Sequence, residues 1–407
     1  MPYIPRHMES VLSRYDGEFP AILLSGARQT GKTTLLRRFT SQKAIPYITF
    51  DDMLEEMSAN ADPNNFMRLH PAPQMFDEIQ YVPDLFRYIK MAVDANRGNG
   101  MFYLTESQQF PLAKSASESL AGRVGILHMY PLSDREIMGS SFHEPFISTL
   151  EYVQKRQAEN TQTRPTIWEK IIRGGYPEVV QNHLKPQDFY ENYLRTYIER
   201  DIRSLTQVAD EMQFLQFITV AAARTGSLVN YNDMAKDVGI SQTTAKKWLS
   251  LLVTSGLIYL LYPFSLNVEK RVIKTPKMYF MDTGLVAYLT RWISPEILER
   301  GAMAGNFFET YVISEIVKSY VNDGFRPPLY FYRDKDKIEI DLLIHQDNTL
   351  YPVEIKKTAT PTAHDARNFH VMNRIKDTVI APACIICNCS APVFVKKEVL
   401  ALPVGLI

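Results

Sequence analysis

The stretch AILLSGARQTGKTTLLRRF, residues 21–39, joins an apolar strand to an amphipathic helix through a loop with two glycines. Gly26 and Gly31 stand with four residues between them, and Lys32 and Thr33 follow directly. This is the G-x-x-x-x-G-K-[ST] spacing of a phosphate cradle. Its glycines let the backbone curl so that N–H groups point at phosphate oxygens, and the helix N-terminus adds positive potential. Lys32 is expected to reach the β- and γ-phosphates of ATP, and the Thr33 hydroxyl to ligate Mg²⁺. A chance match is the competing reading. The strand before the loop and the helix after it argue against chance.

Further along, PQMFDEIQ (73–80) ends a short apolar run in Asp77-Glu78. Asp77 is expected to hold Mg²⁺ through water, and Glu78 to activate the attacking water. The alternation continues with strands in IPYITFDD (45–52), GMFYLTES (100–107) and VGILHMYPLS (124–133), and a helix in DLFRYIKMAVDAN (84–96). Such an order predicts an α/β fold with a mostly parallel sheet and its ligand at the carboxyl ends of the strands. Thr105, with Ser107 in reserve, stands where a sensor of the γ-phosphate would sit. Arg123 has two readings, a surface arginine or a stabiliser of charge on the transferring phosphoryl, in cis or toward a neighbouring subunit.

The ordered set GARQTGKTTLL, FDEIQYVPDLF, LTES, SLAGRVGIL, MYPLS, GGYPEVV and YIERDI resembles a family of bacterial and archaeal AAA-like ATPases. Members carry a C-terminal region catalogued as domain of unknown function number 4143. The resemblance spans nearly the whole chain. It implies ATP binding by Gly26, Ala27, Arg28, Gln29, Thr30, Gly31, Lys32, Thr33 and Thr34 together with Asp77, and it implies Glu78 as the base. One departure is Glu106, where the family commonly has glycine. A carboxylate beside the sensor position could repel the γ-phosphate or move the strand end.

From DREIMG to about Phe217 the sequence reads as helical and polar, a lid for the ATPase. In RTYIERDIRSL (195–205), charged residues recur at i,i+4 and read as an exposed face with weak ion pairs. IIRGGYPEVV (171–180) has turn chemistry in Gly174-Gly175 and Pro177. Residues 229–264 read as helix, turn at Gly239, helix capped by Ser241, then strand. Ala245, Trp248, Leu249 and Leu252 form the apolar stripe of the second helix. Its other face offers Gln242, Thr243, Lys246 and Lys247. This predicts a winged helix-turn-helix, with EKRVIKTPK (269–277) as the wing. Residues 221–277 hold eight Lys/Arg against three Asp/Glu. DNA is the expected partner, its phosphates met by Lys246, Lys247, Lys270, Arg271 and Lys274. A protein-contact module is the alternative.

In the last third, GNFFETYVISEIVKSYV (305–321) reads as an amphipathic helix, and residues 328–357 as strands. Strand alternation puts Glu354 and Lys356 on one face. Asp341 and Glu354 are then expected to share a Mg²⁺, with Lys356 orienting a water or stabilising developing charge. The order resembles the restriction-endonuclease-like core, named for its Pro-Asp…Asp/Glu-x-Lys motif. That resemblance implies Glu309 as the helix carboxylate, Asp341 and Glu354 as metal ligands, and Lys356 as the catalytic lysine. Ile340 replaces the motif's proline. An ion-paired binding fold or an inactive relic is the competing reading.

The bulk composition fits several domains. The chain has 407 residues, 45% hydrophobic and 22% charged, with 45 basic and 45 acidic side chains. A nucleic acid would therefore meet a local basic surface, since no overall positive field exists. We expect an ATPase core over 1–140, a helical lid over 141–220, a winged helix over 221–290 and a nuclease-like α/β domain over 291–407. Cys384, Cys387 and Cys389 suit a reducing cytosol, and ACIICNCSAP reads as a buried strand rather than a zinc site. No signal peptide or membrane span is expected, which suggests a cytoplasmic protein. The leading expectation is an ATP-driven switch on or near DNA, able to form a homo-oligomer. The alternatives are an ATP-regulated, Mg²⁺-dependent nuclease and a signalling or chaperone-like ATPase with a protein partner.

Overall fold

The structure, a computed structural model, describes residues 3–96, 98–107, 120, 122–159, 166–182, 184–197, 211–265 and 275–407. Its N-terminal part is an α/β layer around five parallel strands, β1 (Ala21–Gly26), β2 (Tyr47–Thr49), β3 (Gln74–Asp77), β4 (Phe102–Thr105) and β5 (Val124–Met129). The sheet order is β2-β3-β4-β1-β5.

The central strands read as unbroken apolar runs because both faces are covered. Leu23, Phe76, Phe102 and Leu104 pack with Phe50, Phe66, Phe86 and Ile89 on one side. Ile22, Leu24, Met75, Tyr103 and Leu127 pack on the other against Leu12, Leu35 and Leu36. Truncating a fully buried leucine here, such as Leu23, to alanine costs about 2–5 kcal/mol. The helix α1 (Lys32–Ser41) leaves the carboxyl end of β1, so the loop before it lies at the sheet edge where ligands bind.

Short helices follow, including α2 (Ile167–Arg173), α3 (Pro177–Asn182) and α4 (Pro186–Tyr197). Thr166 and Glu169 form a reciprocal capping box at the start of α2. At its end, buried Asp282 accepts from Gly175 N at 2.7 Å, Tyr190 Oη at 2.6 Å and Leu285 N at 2.9 Å. This carboxylate fastens the glycine turn and α4 to the helix Thr283–Leu289, which it caps.

Next come helix α5 (Glu211–Ala223), strand β6 (Ser227–Leu228), helices α6 (Tyr231–Val238) and α7 (Gln242–Thr254), and strands β7 (Ile258–Pro263) and β8 (Lys277–Phe280). Gly239, in the left-handed conformation, ends α6, and the Ser241 side chain accepts from Thr244 N to start α7.

The helix α8 (Ala304–Val321) is buried on nearly all sides. Strands β9 (Leu329–Arg333), β10 (Glu339–Gln346), β11 (Thr349–Lys356), β12 (Val379–Ile380), β13 (Ala383–Cys387), β14 (Val393–Lys396) and β15 (Val399–Pro403) complete the chain. They do not form a separate sheet. Tyr262 and Pro263 of β7 pair in parallel with Tyr330 and Phe331 of β9, giving the order β14-β15-β13-β11-β10-β9-β7-β8-β6, with β12 beside β11.

Candidate functional site

The loop after β1 is shaped by what surrounds it. A Cβ on Gly26 would lie 2.1 Å from the Met129 carbonyl oxygen, so only glycine lets β5 pass this close. Gly31 takes φ +94° to turn the chain into α1. Lys32 is buried, and its Nζ donates to the carbonyls of Gly26 at 3.0 Å and Ala27 at 2.8 Å. Burial lowers its pKa to about 8, partly opposed by Glu78.

Asp77, at the carboxyl end of β3, gathers hydroxyls. Thr33 Oγ1 donates to Oδ1 at 2.8 Å and Thr105 Oγ1 donates to the same oxygen at 2.5 Å. The Tyr47 hydroxyl donates to Oδ2 at 3.1 Å. Thr105 also accepts from Glu78 N at 3.0 Å, so it braces the acidic pair. Glu78 takes φ +55° and accepts from Ser107 Oγ at 2.6 Å and from Gln80. Burial alone would raise the Glu78 pKa, but the Lys32 charge and these hydrogen bonds overcome it and hold the carboxylate low. A carboxylate and a threonine hydroxyl side by side, opposite an ammonium, are the donor set that magnesium and a triphosphate require. The fit is therefore good for both.

Two adjoining cavities open here. One of 440 Å³ is lined by Arg28, Gln29, Gly31, Lys32, Thr33, Thr34, Glu78 and Thr196. A larger one of 770 Å³ shares Gln29, Gly31, Thr34 and Thr196 and continues between Tyr3, Pro177, Leu184, Phe189 and Tyr193. Glu106 lies at the back of the phosphate side, buried, with Oε2 lacking a hydrogen-bond partner among the described residues. Burial pushes it up to about 8, against Lys32 and with help from Glu78.

The C-terminal charged residues also converge. Lys356 Nζ donates to Glu354 Oε2 at 2.6 Å and Asp341 Oδ2 at 3.2 Å, and Ile355 N donates to Asp341 Oδ2 at 2.8 Å. Burial and the neighbouring Asp341 raise Glu354 to about 9. Glu309 on α8 accepts from the Tyr279 hydroxyl at 2.6 Å. The expected Mg²⁺ between Asp341 and Glu354 does not fit. Among the described residues no three His, Cys, Asp or Glu side chains converge as metal ligands, and lysines pair with these carboxylates. The same holds for the cysteines: Cys384 and Cys387 are buried in and at the end of β13.

Residues 18–138 match the family model of an AAA domain. Residues 164–296 match a domain of unknown function (DUF8612), and residues 304–407 match a domain of unknown function (DUF4143). The uncharacterized proteins Rv2008c of Mycobacterium tuberculosis and Mb2031c of Mycobacterium bovis are each 29% identical over 346 residues, covering 84% of this chain and 71% of theirs. Among solved structures, the Walker-type ATPase PABY2304 of Pyrococcus abyssi aligns with a TM-score of 0.40 at 14% identity, covering 69% of this chain and 94% of that one. The RuvB Holliday junction branch migration motor of Thermotoga maritima aligns with a TM-score of 0.31 at 16% identity, covering 62% and 88%.

Within residues 18–138, Arg123 is not where a cis stabiliser belongs. It precedes β5 at the amino end of the sheet, and its Nε pairs with Asp94 Oδ1 at 2.6 Å. The phosphate loop is at the other end of β1, roughly 17 Å away at about 3.3 Å per strand residue. Gln242, Thr243, Lys246 and Lys247 are exposed on α7. Lys270, Arg271 and Lys274 lie outside the described residues.

Two neighbours of the loop gave no signal in the sequence. His128 on β5 is half-buried beside Lys32, and loss of solvent with the nearby Lys32 charge lowers it to about 4. Gly256, after α7, touches both His128 and the start of the loop: a Cβ there would be 2.9 Å from His128 Nε2 and 3.4 Å from Ala27 N.

Proposed function

We propose that this protein is an ATPase that works as a nucleotide switch on or near DNA. One observation carries the ATPase reading: Thr33, Asp77, Thr105, Glu78 and Ser107 form a continuous hydrogen-bonded chain facing Lys32. Gly26–Thr34 bind the phosphates, and Thr33 and Asp77 are the residues that would hold Mg²⁺. When bound, that ion offsets phosphate charge. Glu78, kept ionised, takes a proton from the attacking water. The larger cavity, between an aromatic wall and Pro177, suits the base and sugar. Since α3 and α4 line that cavity, nucleotide occupancy is read by the helices beyond it.

The DNA part of the reading is supported by the exposed Gln242, Thr243, Lys246 and Lys247 on one helix of a helix-turn-helix arrangement, followed by strands. The test is ATP binding and turnover for wild type and Lys32→Ala, with retention on duplex DNA measured across a salt series. Loss of nucleotide binding in the variant is expected, and unchanged binding would overturn the ATPase reading. A wild type not retained at low salt would turn the helix pair into a protein-contact surface.

A further inference from the structure

The charged cluster of the last third contains a member from outside it. Lys277, the first residue of β8, projects into the carboxylates and is 4% exposed. Its Nζ lies 3.1 Å from Glu309 Oε1 and 2.5 Å from Glu339 Oε1. It also sits 5.7 Å from the centre of the Phe331 ring. On the other side Lys356 takes Asp341 and Glu354. Four carboxylates from three elements are therefore shared between two ammonium groups.

Hard divalent cations need several oxygens turned toward one point. An ammonium that holds the same oxygens competes with such an ion. Here the competitor is covalently tethered and buried, so it is always present. Glu354 Oε1 is buried and without a hydrogen-bond partner among the described residues.

We propose that Lys277 is the resident cation of this cluster. Its ammonium stands in for the divalent ion that a nuclease with these carboxylates would bind. It closes the cluster to metal and fastens β8 to α8 and β10. Chemistry through a metal held by these carboxylates is closed off for that reason, and not because a carboxylate is missing.

The experiment is Mn²⁺ binding to nucleotide-free full-length protein, read as free Mn²⁺ by electron paramagnetic resonance. Wild type and Asp341→Asn are expected to bind equally, which cancels any ion held by the phosphate loop. Lys277→Met should gain one Mn²⁺, lost again in Lys277→Met with Asp341→Asn. Binding by wild type that falls in Asp341→Asn would overturn the proposal, as would no gain in a folded Lys277→Met. Should that variant not fold, acylation of Lys277 in wild type, mapped by mass spectrometry, decides the matter. Protection that persists in millimolar Mn²⁺ supports a resident ammonium, and exposure on adding Mn²⁺ overturns it.

Discussion

Thr105 Oγ1 donates to Asp77 Oδ1 across 2.5 Å and receives Glu78 N at 3.0 Å, so one hydroxyl sets the positions of both acidic residues. The side chain at the end of β4 thus acts on the acidic pair, and Glu78 is left with its carboxylate toward the cleft.

Glu78→Gln keeps the shape and removes the base. Turnover of ATP should fall by roughly 10²–10⁴-fold, while affinity for a non-hydrolysable analogue stays within a few-fold. Steady-state phosphate release and analogue titration separate the two. Equal loss of binding and turnover would instead mark Glu78 as a binding residue.

Glu106 gives a pH dependence with a definite sign. Its folded pKa is raised from the ordinary 4.5 to about 8. The folded state therefore holds the proton more tightly than the unfolded chain. Its contribution is intact below 4.5 and is lost as pH rises toward 8. Glu106→Gln should raise the denaturation midpoint of the nucleotide-free protein at pH 8, with a gain that shrinks toward pH 5. A gain independent of pH would show that Glu106 is not the titrating group.

Gly256 has φ +74°, and a methyl group there meets His128 and the loop amide. Gly256→Ala should lose about 1–2 kcal/mol of stability from the left-handed backbone alone. The crowding of the loop adds a weaker affinity for ATP, visible by calorimetry. Destabilisation with unchanged affinity would separate this turn from the nucleotide site.

Lys246→Ala with Lys247→Ala should lower the salt slope of duplex binding by about one unit for each phosphate no longer neutralised. Fluorescence anisotropy over a salt series measures it. An unchanged slope would move the DNA-binding surface off α7.

The phosphate loop was legible because contiguous residues carry its chemistry, so the glycine spacing, Lys32 and Thr33 sit in one short string. Asp77 and Glu78 were legible because an apolar strand must end before such a pair. Arg123 had two readings, and its place just before β5 puts it at the amino end of a parallel sheet, opposite the phosphate loop, as a surface arginine paired with Asp94. Lys277 was hidden. Its partners are Glu309 and Glu339, far along the chain: the packing of α8 on β8 brings in the first, and the pairing of β7 with β9 the second. Read alone, it was the last residue of the expected wing.

That same pairing bears on how the molecule can be divided. A fragment beginning at the helix Ala304–Val321 would present the backbone of β9 as a raw edge, and two of its glutamates would lose the lysine that neutralises them. Such a fragment would seek strands from its own copies and aggregate. The middle and the end of this chain are therefore to be cloned and transplanted as one piece.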